Sequence, residues 1–262
     1  MKSRNSYELG LMRKSGVIAA SALKCAIEAI KVGVTEIEVD KKAEKEIYRL
    51  GGDLSYKTVP GYKWATCITV NEEVVHGIPT NRKFVEGDLV SVDLAVMYKG
   101  WHTDCAWSVL IGEDSEKKKF LEVGEKALWE GIEKAVDGNR VGDISEAIQK
   151  RVEGAGYKIV RSLVGHGVGK SLHEDPEIPG VGKAGSGVWL KSGMTLAIEV
   201  IYARSSSEVV LAEDGWTYLS ADGSFGGLFE MSVIVGPSAS QKGALQAGKK
   251  EAEILTYRRK TS

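Results

Sequence analysis

Asp93 and Asp104 flank a short turn, Lys99-Gly100, in the stretch Ser91-Val92-Asp93-Leu94-Ala95-Val96-Met97-Tyr98-Lys99-Gly100-Trp101-His102-Thr103-Asp104. The residues around the first aspartate are almost all apolar and read as a strand. With a two-residue hairpin turn, Asp104 falls opposite Ala95. Asp93 then lies on the same face, one diagonal step away. Diagonal neighbours are ~7–8 Å apart at Cα, which lets their side chains converge. Two bare carboxylates that close in a low dielectric repel, and one of them protonates. A divalent cation removes the conflict.

Taken singly, either aspartate is an ordinary strand-edge acid facing water. The second half of the chain argues against taking them singly. Glu199 lies in Leu196-Ala197-Ile198-Glu199-Val200-Ile201, and Glu230 in Leu228-Phe229-Glu230-Met231-Ser232-Val233. Both are acids bracketed by apolar strand residues, and unpaired buried acids are rare. Of the four histidines, His76, His166 and His173 stand in Gly/Pro-rich turns that aim side chains into clefts. His102 reads as an ordinary hairpin residue. Gly169-Lys170-Ser171 mimics the end of a phosphate-binding loop. That motif needs a glycine where Val164 stands and a helix where Asp175-Pro176 follows.

The elements that position these residues come twice. Leu11–Lys31 reads as a helix with Leu23, Ile27 and Ile30 at helical spacing, stopped at Gly33. Thr35 and Glu38 form a capping box for a second helix striped by Val39, Ala43, Ile47 and Leu50. Strands are expected over Thr66–Val70, Leu89–Met97 and Trp101–Ile111. The second half repeats the plan. A helix over Ser115–Val136 is followed by one capped by Asp143 and Glu146, then by strands over Lys158–Val164, Met194–Tyr202, Val209–Leu211 and Phe229–Val235. Gly87 and Gly193 are offset by 193 − 87 = 106, and Asp93 and Glu199 by 199 − 93 = 106. The capping boxes recur at 143 − 35 = 108. This is the signature of an internal duplication. A pseudo-twofold would bring the acids of both halves to the centre of one domain over residues 1–240, with halves of about 1–112 and 113–240. The segment 241–262 is expected to be a tail, helical or irregular.

Composition sets the class. The chain has 262 residues, 35 basic against 36 acidic, so it presents no charge excess for nucleic acid or a membrane surface. Cys25, Cys67 and Cys105 are odd in number and form no CxxC pair, which fits a reducing cytoplasm. The N-terminus leads into no apolar signal core, and no run approaches the ~20 residues of a membrane span. A monomer is expected.

Read as an ordered set, the motifs resemble those of the methionine aminopeptidases of the short type I form. They are Asn71-Glu72-Glu73-Val74-Val75-His76-Gly77-Ile78-Pro79, the Asp93/Asp104 hairpin, Gly165-His166-Gly167-Val168-Gly169 with His173-Glu174-Asp175-Pro176, Glu199, Asp214-Gly215-Trp216-Thr217 and Phe229-Glu230. The resemblance runs from roughly residue 5 to residue 236. It implies the α+β pita-bread fold, with a curved, mainly antiparallel sheet. It implies two divalent cations (Co, Mn, Fe, Zn or Ni) held by Asp93, Asp104, His166, Glu199 and Glu230, with Asp104 and Glu230 bridging. A water held between the two cations is then the nucleophile, and Glu199 doubles as proton shuttle. His173 and His76 act on the scissile peptide, and Tyr62, Cys67, Leu172 and Trp216 line the methionine pocket. The implied substrates are N-terminal Met peptides and nascent proteins, with the ribosome as a candidate partner. The chain departs from the family pattern at Met231, where histidine is usual, and at Leu228, Val200 and Leu172. These positions bear on substrate preference and on the surroundings of Glu230. Two other functions compete. A prolidase-type peptidase shares the fold but normally carries an extra N-terminal domain. A non-catalytic peptide-binding relative would typically have lost some of the ligating residues.

Overall fold

The computed structural model describes residues 3–237 and 251–256. In chain order the elements are α1 (Ser6–Ala29), α2 (Glu36–Arg49), β1 (Asp53–Leu54), β2 (Cys67–Val70), β3 (Glu73–Val75), β4 (Leu89–Tyr98) and β5 (Trp101–Leu110). There follow α3 (Ser115–Glu133), α4 (Val141–Gly154), β6 (Lys158–Ile159), β7 (Val164–Gly167), β8 (Glu174–Pro179) and β9 (Thr195–Ala203). The last are β10 (Val209–Leu211), β11 (Tyr218–Ser220), β12 (Gly226–Ile234) and β13 (Glu253–Ile254). A ten-stranded sheet runs in the order β1-β4-β5-β12-β9-β7-β8, with β2 on β4, β6 on β9 and β13 on β12. A small second sheet has the order β10-β11-β3. This is the mixed helix and antiparallel-sheet architecture that the resemblance implies.

The duplication is visible in the topology. β1 and β2 join β4 as β6 and β7 join β9, and β5 meets β12 at the seam. Gly87 and Gly193 both take φ near +85°, at 87° and 84°, the left-handed turn that each half needs before its central strand. Each half packs a helix pair on its part of the sheet. Ile18, Ala22, Val39 and Ile47 pack with Val92 and Leu94. Leu128, Ile132, Ile144 and Ile148 pack with Ile198, Val200 and Met231.

Several local expectations are corrected. Helix α1 starts at Ser6 rather than Leu11, because Asn5 and Glu8 form a capping box with N···O distances of 3.0 and 2.9 Å. Asp143 is not the cap of α4. It sits three residues inside the helix frame and accepts the Arg140 N–H at 2.6 Å. The N-caps are therefore Thr35 and Arg140, an offset of 140 − 35 = 105 that matches the glycines better than the expected boxes do. The span Lys158–Val164 is not one strand. Lys158 and Ile159 pair with Ala203 and Tyr202 of β9, whereas Val164 pairs with Pro179 of β8 as the start of β7, and 160–163 connect the two. His102 is a hairpin residue as expected, opposite Met97 in β4, and it is buried there with Nδ1 2.7 Å from Ser55 Oγ.

Within the segment expected to be a tail, β13 extends the sheet by pairing Ile254 and Glu253 with Val233 and Ile234. Arg13 clamps Glu253 through two bonds of 2.6 and 2.8 Å. Gly16 provides the room, since a Cβ there would lie 2.4 Å from the Leu255 carbonyl oxygen. Arg258-Arg259-Lys260 lie outside the described residues.

Candidate active site

The hairpin register is the one required for two aspartates on one face. Ala95 is opposite Asp104 and Asp93 is opposite Ala106. Lys99 and Gly100 take φ of 50° and 74°, the paired left-handed residues of a type I′ turn, whose twist suits the strands it joins. Across the seam Ala106 is opposite Glu230, and Glu230 is opposite Glu199. On the other flank Cys67 is opposite Asp93. One rung of the sheet thus reads Cys67, Asp93, Ala106, Glu230, Glu199 over five strands. Asp104 stands two residues along β5 from Ala106, on the same face. His166 is opposite Ala197, two residues from Glu199.

Side-chain geometry closes the group. Ligating atoms lie within 4.8 Å of one another in three overlapping triplets: Asp93–Asp104–Glu230, His166–Glu199–Glu230 and Asp104–His166–His173. All five residues expected to bind cations converge. His173 joins them, so proximity alone does not set it apart from the others. It is the exposed member of its triplet, while Asp104 and His166 are buried.

The electrostatics of the cluster are those of acceptors facing acceptors. Burial pushes the Asp93 carboxyl up to about 6. Burial, and then the charges of neighbouring acids, push Asp104, Glu199 and Glu230 well above the carboxylate range. Glu230 Oε1 is buried without a hydrogen-bond partner. His166 Nδ1 is 2.9 Å from the Gly167 carbonyl, which accepts a hydrogen bond from Nδ1–H and so leaves the Nε2 lone pair for the acids. Nε2 lies 3.6 Å from Glu199 and 4.0 Å from Asp104. These are ion-pair distances, yet burial and then His173 lower the imidazole to about 4, so it is neutral at pH 7. Four carboxylates, an unpartnered buried oxygen and an imidazole lone pair turned toward them form a donor set that fits divalent cations.

The remaining predicted residues divide between the two ends of the acid row. At the Glu199 end a cleft of about 700 Å³ is lined by His76, His166, His173, Glu174, Glu199 and Ile201. His76 takes φ of 60°, which turns it out of the strand ladder, and its ring meets Tyr218 edge-on at 5.8 Å. Burial lowers both His76 and His173, so each is a neutral imidazole with one N–H to offer. At the Asp93 end Tyr62, Cys67 and Leu172 are buried in one cluster with Tyr56 and Ala95. Trp216 borders it, with its ring 5.1 Å from Tyr62.

Two contacts carried no signal in the sequence. Tyr56 donates to Asp93 Oδ1 at 2.6 Å from a 3-10 turn over Ser55–Thr58. Arg4 ion-pairs with Glu174, the residue after His173, and lies over the Trp101 ring at 5.2 Å. Neither Tyr56 nor Arg4 has a periodic or motif relation to its partner, so only the fold reveals them.

The model of metallopeptidase family M24 matches residues 10–237. Methionine aminopeptidase 1 of Bacillus subtilis is 41% identical over 229 residues, covering 87% of this chain and 92% of the relative. The methionine aminopeptidase of Clostridium perfringens is 39% identical over 239 residues, covering 91% and 96%. The crystal structure of methionine aminopeptidase from Thermotoga maritima superposes with a TM-score of 0.92 at 38% identity, covering 98% of this chain and all (100%) of that one. Prolidase from Pyrococcus furiosus shares the fold at 22% identity and a TM-score of 0.75, and this chain spans 65% of its length. The chain belongs to metallopeptidase family M24 and, within it, to the methionine aminopeptidases.

Proposed function

We propose that this chain removes the N-terminal methionine of nascent or newly made proteins. The observation that carries the reading is the acid rung: Asp93, Glu230 and Glu199 aligned across four strands, with Asp104 and His166 beside them. In this reading those residues hold two divalent cations drawn from Mn, Fe, Co, Ni and Zn. When bound, the cations supply Lewis acidity and make a water nucleophilic near neutral pH.

The chain's own residues do the rest. Glu199 accepts the proton of the attacking water at a carboxylate oxygen and returns it to the leaving amine nitrogen. His173 donates a ring N–H to the scissile carbonyl oxygen as charge develops there. His76 donates to the peptide beyond the scissile bond and orients it. Tyr62, Cys67, Leu172 and Trp216 bury the methionine side chain, and the cleft beside Glu199 takes the rest of the substrate. Cytoplasmic action on chains at the ribosome belongs to the same proposal. Among the described residues no helix is long and apolar enough to cross a membrane.

The test is an assay of Met-Ala-Ser and Ala-Pro peptides after chelation and after reconstitution with Mn, Co or Fe. Loss and recovery of Met-Ala-Ser cleavage is expected. Unchanged turnover in excess chelator, with metal loss verified by elemental analysis, would overturn the reading. A preference for Ala-Pro would move the chain to prolidase-type chemistry.

A further inference from the structure

Tyr56 enters the site from a single 3-10 turn that is pinned on both sides. Ser55 Oγ is 2.7 Å from His102 Nδ1 in β5, and Thr58 Oγ1 donates to the Ser55 carbonyl at 2.7 Å. The buried ring meets Tyr62 edge-on at 5.7 Å. Tyr62 is fixed in turn by its hydroxyl, which donates to the Thr66 carbonyl at 2.8 Å. A phenol held this way has little freedom to aim its O–H elsewhere. It meets Asp93 Oδ1 at 2.6 Å and lies 3.4 Å from Asp104 Oδ1.

We infer that Tyr56 is a positioning residue for the cation site: its hydroxyl fixes the Asp93 carboxylate, while its ring is held in the cluster that walls the first-residue pocket. The inference rests on the reading of Asp93 as a cation ligand. A carboxylate oxygen has two lone pairs, and the phenol takes one from Oδ1. The other lone pair and all of Oδ2 stay available. Without the hydroxyl, the carboxylate can rotate about its last bond, since Asp93 lies in a strand whose neighbours Val92 and Leu94 point to the opposite face. Partners of this kind typically change metal affinity 10- to 100-fold when removed. The turn is part of the same device. His102, buried and bonded to Ser55, holds the backbone from which Tyr56 projects.

The experiment is a titration of the metal-free protein with Mn²⁺ or Co²⁺ by calorimetry, on wild type and Tyr56→Phe. Phe keeps the ring and its packing and removes only the donor. We expect cation affinity to fall ~10- to 100-fold, with turnover recovering as cation is raised and with the melting temperature of the chelated protein near that of wild type. Ser55→Ala should weaken binding in the same direction and less, and it decides the matter if Tyr56→Phe does not fold. Wild-type affinity in a folded Tyr56→Phe overturns the inference and leaves the proposed function intact. A wild-type protein that takes up no divalent cation overturns both.

Discussion

Glu199 and Glu230 stand directly opposite each other in the β9–β12 pair, a half-buried acid facing a buried one in a cross-strand position where like charges repel. Sheet pairing alone would disfavour this arrangement. It is retained at the centre of the molecule, beside Asp104 and His166. The first prediction follows from it. The double variant Glu199→Gln/Glu230→Gln should melt higher than wild type when both are chelated, by at least ~2 °C, the shift that ~1 kcal/mol gives at this size. It should also lose divalent-cation uptake in calorimetry. A lower melting temperature for the variant would show that the two acids are not in conflict.

Arg4 holds the loop that presents His173. Its guanidinium pairs with Glu174, at side-chain exposures of 12% and 20%, and its backbone N–H bonds the Gly193 carbonyl at 2.9 Å. Arg4→Gln should cost on the order of 2 kcal/mol, as for a lost hydrogen bond to a charged group. It should also lower kcat by about 10-fold, short of the ~10²-fold that a 1 Å misplacement can cause. Calorimetry and steady-state kinetics on one preparation check both. Normal kcat in the folded fraction would confine Arg4 to stability.

His173→Ala should lower kcat far more than it raises KM. A donor aimed at the developing oxyanion strengthens only in the transition state. Its loss typically costs ~10²–10³-fold. The ring lies 4.5 Å from that of His166, so bound metal must be measured on the same sample. A fall in kcat that simply tracks metal loss would make His173 a ligand and not a donor.

Glu73 provides a pH prediction away from the acid row. Burial raises its carboxyl to about 7, partly offset by the Val70 N–H that it accepts at 2.8 Å. The folded state therefore holds this proton more tightly than the unfolded chain does. The resulting stabilisation is full below the unfolded value, near 4.5, and is lost as pH rises through about 7. Wild type should lose more melting temperature between pH 5 and pH 8 than Glu73→Gln does. Parallel pH profiles would remove Glu73 from the balance.

Much of the site was legible because its logic is local or repeated. The Lys99-Gly100 turn fixes hairpin parity from sequence alone, and Ala95 does face Asp104. The offset of 106 between Gly87 and Gly193 survives as equivalent left-handed turns before β4 and β9. What stayed hidden was long-range or irregular. Tyr56 comes from a four-residue 3-10 turn, too short for any periodicity, and meets Asp93 through the Ser55–His102 contact and the packing of Tyr62. Arg4 and Glu174 are 170 residues apart. Asp143 was misplaced because an acid reads alike at the cap and three residues inside it, and only the bond to the Arg140 N–H separates the two. Short edge pieces such as β1, β6 and β13 owe their extended form to the strand beside them and not to their own composition.

The seam between β5 and β12 also sets an order of manufacture. Asp93 and Asp104 belong to the first half, while His166, Glu199 and Glu230 belong to the second, and the two groups meet where Ala106 pairs with Glu230, 230 − 106 = 124 residues later. Loop closure over such a distance comes late in folding. On the ribosome, the first hairpin emerges while the residues that complete its chemistry have yet to be translated. Under the proposed function, an unfinished chain has only part of the cation-binding cluster and none of its activity. Under the same proposal, removal of methionine from other chains has to wait until this one is long enough to close its own sheet.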